Sequence, residues 1–524
     1  MASPSSNTNH LVEVASAWCA SNGVLMGARD KETRTPLGNH IFEPAPFSLD
    51  PTPVPRSAFE NAYKMAKPFN GVIHSAASHY EDWLRAAVKT AAEGDAGFTG
   101  KMMSLADEVI EMDKKGGVDK RAQNVALGIL RSDYMLHGST MDDAVPLQVE
   151  MNTIASSFGC LSTKISKLHK HLATLASFQS GNTSASNDLP DNGAADGIAA
   201  GLAAAVKEYV RQRDMAISAK ENDSSFEFVL HPPVVVMVVQ PGETNSVDQR
   251  DLEFLLLEKH GVRLIRRTLH DIASQGQYSG AEDVFCGREL LLRDDGPASA
   301  GMVAAAAVYY RAGYTPDDYP TSVEWEGRKK VEHSGAIKCP DIFYHLVGTK
   351  KVQQVLAEPG SLRQFCTSDD EASFLSSCFA DLHALGEGDD SDAVSAALEN
   401  PSGYVLKPQR EGGGNNLYGE EMVAALKSMS YKERGAFILM QRIMPPAFSG
   451  KLVRRGDIVY DGECVCEIGV FGITLRRYHK SGHDAEDSAL MNEVVGHILR
   501  TKSIETDEGG VAAGYAFLSS PQLV

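Results

Sequence analysis

The sequence predicts an α/β protein, and three observations carry the prediction. The stretch 11–230 repeatedly places apolar residues at three-and-four spacing, the period of an amphipathic helix. "HPPVVVMVVQP" (231–241) is a continuous, largely β-branched run, the pattern of a strand covered on both faces in a parallel sheet. Strands and helices then alternate to about residue 340, the order of βαβ units.

In chain order, residues 1–10 ("MASPSSNTNH") are expected to be disordered. "SAFENAYKMAKPFNGVIHSAA" and "HYEDWLRAAVKTAAE" have the helical period. "QVEMNTI" is β-prone, and "STKISKLHKHLATLASF" is a helix leading into "QSGNTSASNDLPDNGAADG" (179–197), a loop or disordered insertion by composition. "GIAAGLAAAVKEYVRQRDM" is again helical. From 231 to 340 the strand run, the helix "SVDQRDLEFLLLEKHG", the strand "VRLIRRTL" and "MVAAAAVYYRAGY" read as a compact inserted α/β domain. The last part, 341–524, holds "PDIFYHLVGTKKVQQVLAE", an acidic loop "GEGDDSDA" (386–393), the strand "GYVLKPQ", a glycine loop, "AFILMQRI", "ECVCEIGVFGITLRR" and a glycine-rich "DEGGVAAG".

The totals narrow the function. A chain of 524 residues exceeds the size at which one core keeps growing, so two or three subdomains are expected. The formal net charge of −19 argues against nucleic acid or an anionic membrane as partner, though not against a small anion held by local cations. No window offers the roughly 18–20 uninterrupted apolar residues of a bilayer span, and no basic segment followed by an apolar one opens the chain. The eight cysteines contain no CxxC pair. Cys464 and Cys466 share a strand face, but without a second Cys/His pair they read as buried thiols rather than a metal site. A cytoplasmic protein without disulfides is expected.

Among the common motifs, GxxxxGK[ST], HExxH and GxSxG are absent, and Gly412-x-Gly414 lacks the third glycine of a dinucleotide fingerprint. "KPQREGGGNNLYGEE" (407–421) has a better setting than a flexible hairpin tip requires. A strand delivers Lys407, a point charge suited to phosphate, then Glu411, suited to Mg²⁺, then Gly412, Gly413 and Gly414, whose amides can approach phosphate closely. In "QVEMNT" the strand period puts Glu150 and Asn152 on one face. A solvated face explains the pair taken alone; with Glu411 it becomes a set of three hard oxygen ligands. Arg131, Arg311 and Arg500 are read at element ends, where a guanidinium can grip a substrate carboxylate, although each singly fits a surface ion pair. His169 and His171, two apart on a helix, do not share a face and are read as structural.

"RSDYM", "VEMNTIASSFG", "CPDIFYHLVGTKKVQQ", "LKPQREGGGNNLYGEEMV" and "RTKSIETDEGGVAAG", in this order, closely resemble eukaryotic glutathione synthetase from about residue 40 to the C-terminus. The resemblance implies an ATP-grasp fold: 11–230 as helical part and first portion of the core, 231–340 as an inserted parallel-sheet substrate-binding domain, 341–524 as core and lid with glycine-rich lid loops. It implies a homodimer that joins γ-glutamylcysteine and glycine with ATP as co-substrate and two Mg²⁺ per subunit. By position Glu150, Asn152 and Glu411 match the magnesium ligands. Lys350, Lys407, Glu411 to Asn416 (with Asn415), Tyr418, Glu467, Lys502 and Glu508 match ATP contacts, and Met440, Gln441 and Ile443 the adenine hinge. Arg131, Ser157, Glu243, Asn245, Gln249, Arg311, Tyr314, Arg500, Val511 and Ala512 match peptide and glycine contacts, with Arg131, Lys407 and Arg500 in catalytic roles. Ala155 and Gln441 depart from the serine and glutamate common in the family, the first removing a possible hydroxyl contact to substrate, the second weakening a contact to adenine.

The chemistry implied is activation of a carboxylate as an acyl phosphate, attack by the glycine amine, and stabilisation of the oxyanion by Arg131 or Arg500. Water must be kept out meanwhile, so 411–419 and 509–514 are expected to act as lids. Alternatives are a β-alanine-using homoglutathione-type ligase, which the small "GGVAAG" disfavours, a non-catalytic ATP-binding regulatory protein, and a carboxylate kinase.

Overall fold

The computed structural model describes residues 6–30, 33, 35–38, 40–115, 122–180, 188–220, 229–279, 288–294, 296, 301–386, 391–409, 415–478 and 489–524. Glu411, Gly412, Gly413 and Gly414 therefore lie outside the described residues, as do 1–5 and parts of the 179–197 and 386–393 segments. Where disorder was expected over 1–10, Ser6–His10 instead begin a helix, Ser6–Ser21.

Five helices matter for the site: α1 (Arg56–Ser78), α2 (Gly159–Ser180), α3 (Ala194–Lys220), α4 (Ser246–His260) and α5 (Lys350–Ala357). The stretch 79–93, expected as one helix, is broken into a π-turn at Tyr80–Leu84 and the short helices Arg85–Ala87 and Lys89–Gly94.

The strands assemble around one long member. β1 (Val125–His137) and β2 (Val145–Asn152) pair antiparallel, with Arg131 opposite Asn152 and Asp133 opposite Glu150. β3 (Pro233–Val238), β4 (Leu264–Arg267), β5 (Met302–Tyr310) and β6 (Ile337–Cys339) run parallel in the order β4-β3-β5-β6. β6 also pairs in parallel with β1, Lys338 opposite Ala126. The 231–340 block thus has no sheet of its own; its strands extend the sheet of the core. β7 (Tyr404–Pro408) and β8 (Phe437–Gln441) form, with Leu382–Ala384, a separate three-stranded antiparallel sheet. β9 (Asp457–Arg477) pairs antiparallel with β1 along Val125–Met135 and with β10 (Ala489–Ser503) on its other edge. One edge of β1 is given wholly to β9. The other is shared, β6 at Ala126 and β2 from Arg131 onward, so the sheet forks in the middle of β1.

Helices cover both faces of this 13-stranded mixed sheet. In β3, Val234, Val236 and Val238 join the apolar cluster that holds Phe59, Phe69 and Ile73 of α1. Val235 and Met237 join the one that holds Leu161 and Leu168 of α2 and Ile198 and Leu202 of α3. Both halves of the β-branched run are therefore buried, as the uninterrupted apolar pattern predicts, each such side chain contributing about 1.5–3 kcal/mol.

Candidate active site

The site begins where α2 and α3 stop covering the sheet. On β1, Val125, Leu127 and Ile129 lie under those helices. Two residues further on, the same face carries Arg131, Asp133 and Met135, because successive side chains alternate across a strand. The registers extend this face sideways. Asn152 and Glu150 on β2 stand opposite Arg131 and Asp133; Glu467 and Gly469 on β9 stand opposite Met135 and Asp133; Arg500 and Lys502 on β10 stand opposite Glu467 and Val465. One sheet face is apolar at one end and ionic at the other.

Asp133, wholly buried, ties the ionic end together. Arg131 reaches it twice, Nε to Oδ1 at 2.7 Å and Nη2 to Oδ2 at 2.8 Å. Arg500 Nη2 donates to Asp133 Oδ2 at 2.6 Å and to Glu467 Oε1 at 2.5 Å. Burial pushes the Glu467 carboxyl up while Arg500 opposes it. Burial would likewise raise Glu150, but Lys350, with Nζ 2.8 Å from Glu150 Oε2, and then Lys407 and Arg500 hold its carboxyl well below the usual carboxylate range. Lys350 is at the start of α5, and Lys407 enters from the other sheet on β7, with its Nζ donating to Val149 O at 3.1 Å. Lys407 is only 6% exposed, and burial lowers its ammonium to about 8.

Arg131, Glu150, Asn152, Lys350, Lys407, Glu467 and Arg500, with Asp133 behind them, wall a cavity of about 330 Å³ between the two sheets. Its other end is apolar, formed by Met135, Val149, Val405, Met440 and Ile443, with Gln441 at its edge. Asn415, Asn416 and Tyr418 close one side and adjoin the loop Asp507–Ala513, Tyr418 OH donating to Asp507 O at 3.4 Å, with Glu508, Val511 and Ala512 on the wall. Lys502 Nζ donates to the carbonyls of Asp507 at 2.5 Å and Glu508 at 3.0 Å, and burial lowers its ammonium. Arg442 pairs with Asp507. The turn after β2 is strained: Ala155 (φ 51°) and Phe158 (φ 70°), both on the wall, take the left-handed region that side chains disfavour.

The expected residues Arg131, Glu150, Asn152, Ser157, Tyr314, Lys350, Lys407, Glu467, Arg500 and Lys502 all reach this one cavity. Arg131 and Arg500 do so from strand interiors rather than element ends, a correction that follows from the length of β1 and β10. Glu243, Asn245, Gln249 and Arg311 are not on the wall. They form a second group beside it, in which Gln249 Nε2 donates to Glu243 Oε2 at 3.3 Å and Arg311 pairs with buried Asp248 at 3.1 Å. Asp248 also accepts from the amides of Phe158, Cys160 and Leu161, so it caps the first turn of α2 and links that group to the wall at Phe158. Asn245 Oδ1 is buried with no hydrogen-bond partner among the described residues.

Asp133 and Asp248 are the residues sequence reasoning missed. The spacing Arg131-x-Asp133 on a strand was a usable signal for the first; nothing local marks the second. His169 is structural, bonded to Ser520 and Ser48. Cys464 and Cys466 are buried free thiols. Among the described residues no group of three or more His, Cys, Asp or Glu side chains is arranged to hold a metal. Glu150 and Asn152 nevertheless suit a hard cation. The carboxyl is held ionised, and the amide of Asn152 is oriented by its Nδ2 donating to Asp133 Oδ2 at 2.9 Å, which leaves Oδ1 as an acceptor.

The family model described as eukaryotic glutathione synthase, ATP binding domain, matches residues 5–523. Glutathione synthetase of Homo sapiens is 36% identical over 505 residues, 96% of this chain and 94% of that protein. The Dictyostelium discoideum glutathione synthetase is 34% identical, with 98% and 99% covered. The chloroplastic enzyme of Solanum lycopersicum is 36% identical, with 98% and 84% covered. The solved apo structure of a glutathione synthetase-like effector from Globodera pallida superposes with a TM-score of 0.70 over 100% of this chain and 98% of that one, at 20% identity, a likeness of fold.

Proposed function

The chain belongs to the eukaryotic glutathione synthetases, and we propose that its inter-sheet cavity joins γ-glutamylcysteine to glycine through an acyl phosphate. It is an ATP-dependent ligase of glutathione biosynthesis. The observation that supports the detailed reading is the ionic end of the cavity: two arginines from the large sheet and two lysines that reach in from α5 and β7, each beside a carboxylate or a strand carbonyl, opposite an apolar end.

The apolar end, Met135, Val405, Met440 and Ile443, takes the adenine, with Gln441 at its rim. The triphosphate then runs toward Lys350 and Lys407, whose ammoniums offset the charge of the transferring phosphoryl group. Glu150, Asn152 and, outside the described residues, Glu411 would hold Mg²⁺, two ions per subunit by family likeness; bound, they supply electrostatic stabilisation of the phosphoryl group. Arg131, Ser157 and Tyr314 receive the dipeptide, and the group of Glu243, Asn245, Gln249 and Arg311 lies behind them for its glutamyl end. The dipeptide carboxylate takes the γ-phosphoryl group as ADP leaves. Glycine, beside Val511 and Ala512, attacks the carbonyl carbon and phosphate departs. Arg500, on the cavity wall, is the donor assigned to the oxyanion. The ATP-grasp assignment, lid motion of 411–419 and 509–514, a homodimer and a cytoplasmic location belong to the same proposal; among the described residues no helix is long and apolar enough to cross a membrane.

Phosphate release from ATP, with γ-glutamylcysteine present and glycine added or omitted, tests this. Release that requires both substrates is expected. Release without an amine would identify a carboxylate kinase instead, and nucleotide binding with no release would identify a regulatory ATP-binder. Substituting β-alanine at equal concentration should lower kcat/KM by about 10–200-fold, the worth of one methylene in a fitted pocket.

A further inference from the structure

Arg131, Arg500 and Asn152 all bond to Asp133, which none of the ligand assignments above includes. Its two carboxylate oxygens accept from four N–H groups: Arg131 Nε and Nη2, Arg500 Nη2 and Asn152 Nδ2, at 2.7, 2.8, 2.6 and 2.9 Å. Wholly buried and absent from the cavity wall, the group is not placed to accept a proton from an attacking amine. It instead holds two guanidiniums together against their mutual repulsion. The neighbouring strand is shaped around it: a Cβ at Gly469 of β9 would sit 2.4 Å from Asp133 Oδ1 and 2.9 Å from Arg131 Cδ. Arg131 keeps N–H groups beyond those it gives to Asp133 and to Ser157 O (3.3 Å), and Arg500, on the cavity wall, gives only Nη2 to Asp133 and Glu467.

We propose that Asp133 is a positioning residue of the ligation, a clamp that fixes Arg131 and Arg500 side by side so that their remaining N–H groups face the reacting carboxylate and the incoming amino acid. This rests on the ligase reading above. Asp133 also holds Asn152, so its loss reaches the metal side through that one amide, and the clamp is read from the excess of the peptide and glycine effect over the ATP effect.

The test is Asp133→Asn, which keeps volume and one acceptor but removes the charge. In the full-length protein, kcat/KM for γ-glutamylcysteine and for glycine should fall about 100-fold or more, the scale of losing an oriented donor to the oxyanion, while KM for ATP, touched only through Asn152, rises by a clearly smaller factor. Combined with Arg131→Ala, the substitution should add little to the loss from Arg131→Ala alone, since groups acting as a unit are not additive. Wild-type kinetics for Asp133→Asn would overturn the proposal; so would equal rises in all three KM values with a lowered melting temperature, the signature of general destabilisation. If Asp133→Asn does not fold, Gly469→Ala displaces the same carboxylate while leaving its charge, and the same split of KM values is expected; unchanged kinetics there would count against the clamp. A wild-type protein that does not ligate dipeptide and glycine sinks the ligase reading itself, whereas a ligating wild type with an indifferent Asp133 sinks only the clamp.

Discussion

Lys407 must carry a positive charge into a site that burial makes unfavourable for it. Its ammonium is brought down to about 8 by burial first, with Glu150 and Glu467 opposing and Lys350 assisting. The sign then differs for stability and for function. The unfolded chain holds more protons than the folded one between about pH 8 and the ordinary lysine value, so this group's contribution to stability improves as pH rises through that window. Nucleotide affinity runs the other way, because the neutral amine no longer attracts phosphate. We expect kcat/KM for ATP to decline above about pH 8, and Lys407→Arg, which stays charged, to lose that limb even at reduced activity. A profile flat to about pH 9.5 would remove Lys407 from the phosphate site.

At the scale of elements, α3 is pressed onto the sheet so closely that only glycine fits where it crosses β10. A Cβ on Gly197 would lie 2.2 Å from Val495 Cβ and 2.4 Å from its Cγ1. Helix propensity favours alanine over glycine by about 1 kcal/mol. Overpacking against a β-branched side chain on a central strand typically costs about 1–3 kcal/mol, and a contact this short belongs at the upper end. Gly197→Ala should therefore lower stability in urea denaturation, with little change in turnover per folded molecule, because Gly197 is absent from the cavity wall. Equal or greater stability would mean that α3 can shift, and that the helix does not fix the edge of the ionic face. The N-terminus of α2 shows the same dependence of an element on its neighbours: its cap is a side chain from α4, Asp248, which also neutralises Arg311.

At the scale of the whole molecule, the cavity lies between the large sheet and the three-stranded one, and Lys407 Nζ to Val149 O at 3.1 Å is a direct polar link between them. A nucleotide lying across this seam should stiffen both sheets. At a free concentration 100 times its Kd it stabilises by about 2.7 kcal/mol, and hydrogen exchange should slow in β7 and β8 as well as in β2. Protection confined to one sheet would show that the nucleotide does not bridge them. The amino-acid sequence by itself determined what depends on local pattern. The β-branched strand, the helical periods and the pairing of Glu150 with Asn152 by strand alternation were legible in it, whereas cavity residues such as Lys350, Met440 and Glu467 were named only through the family resemblance. Tertiary structure decided what depends on register between distant strands. Only the pairing of β1 with β2 and β9, and of β9 with β10, brings Arg131, Asn152 and Arg500 onto the one carboxylate of Asp133, and the pairing of β6 with β1 makes the 231–340 block part of the central sheet. The reason is physical: side-chain alternation and propensity act over a few residues, whereas a buried ion cluster exists only after several strands have been aligned.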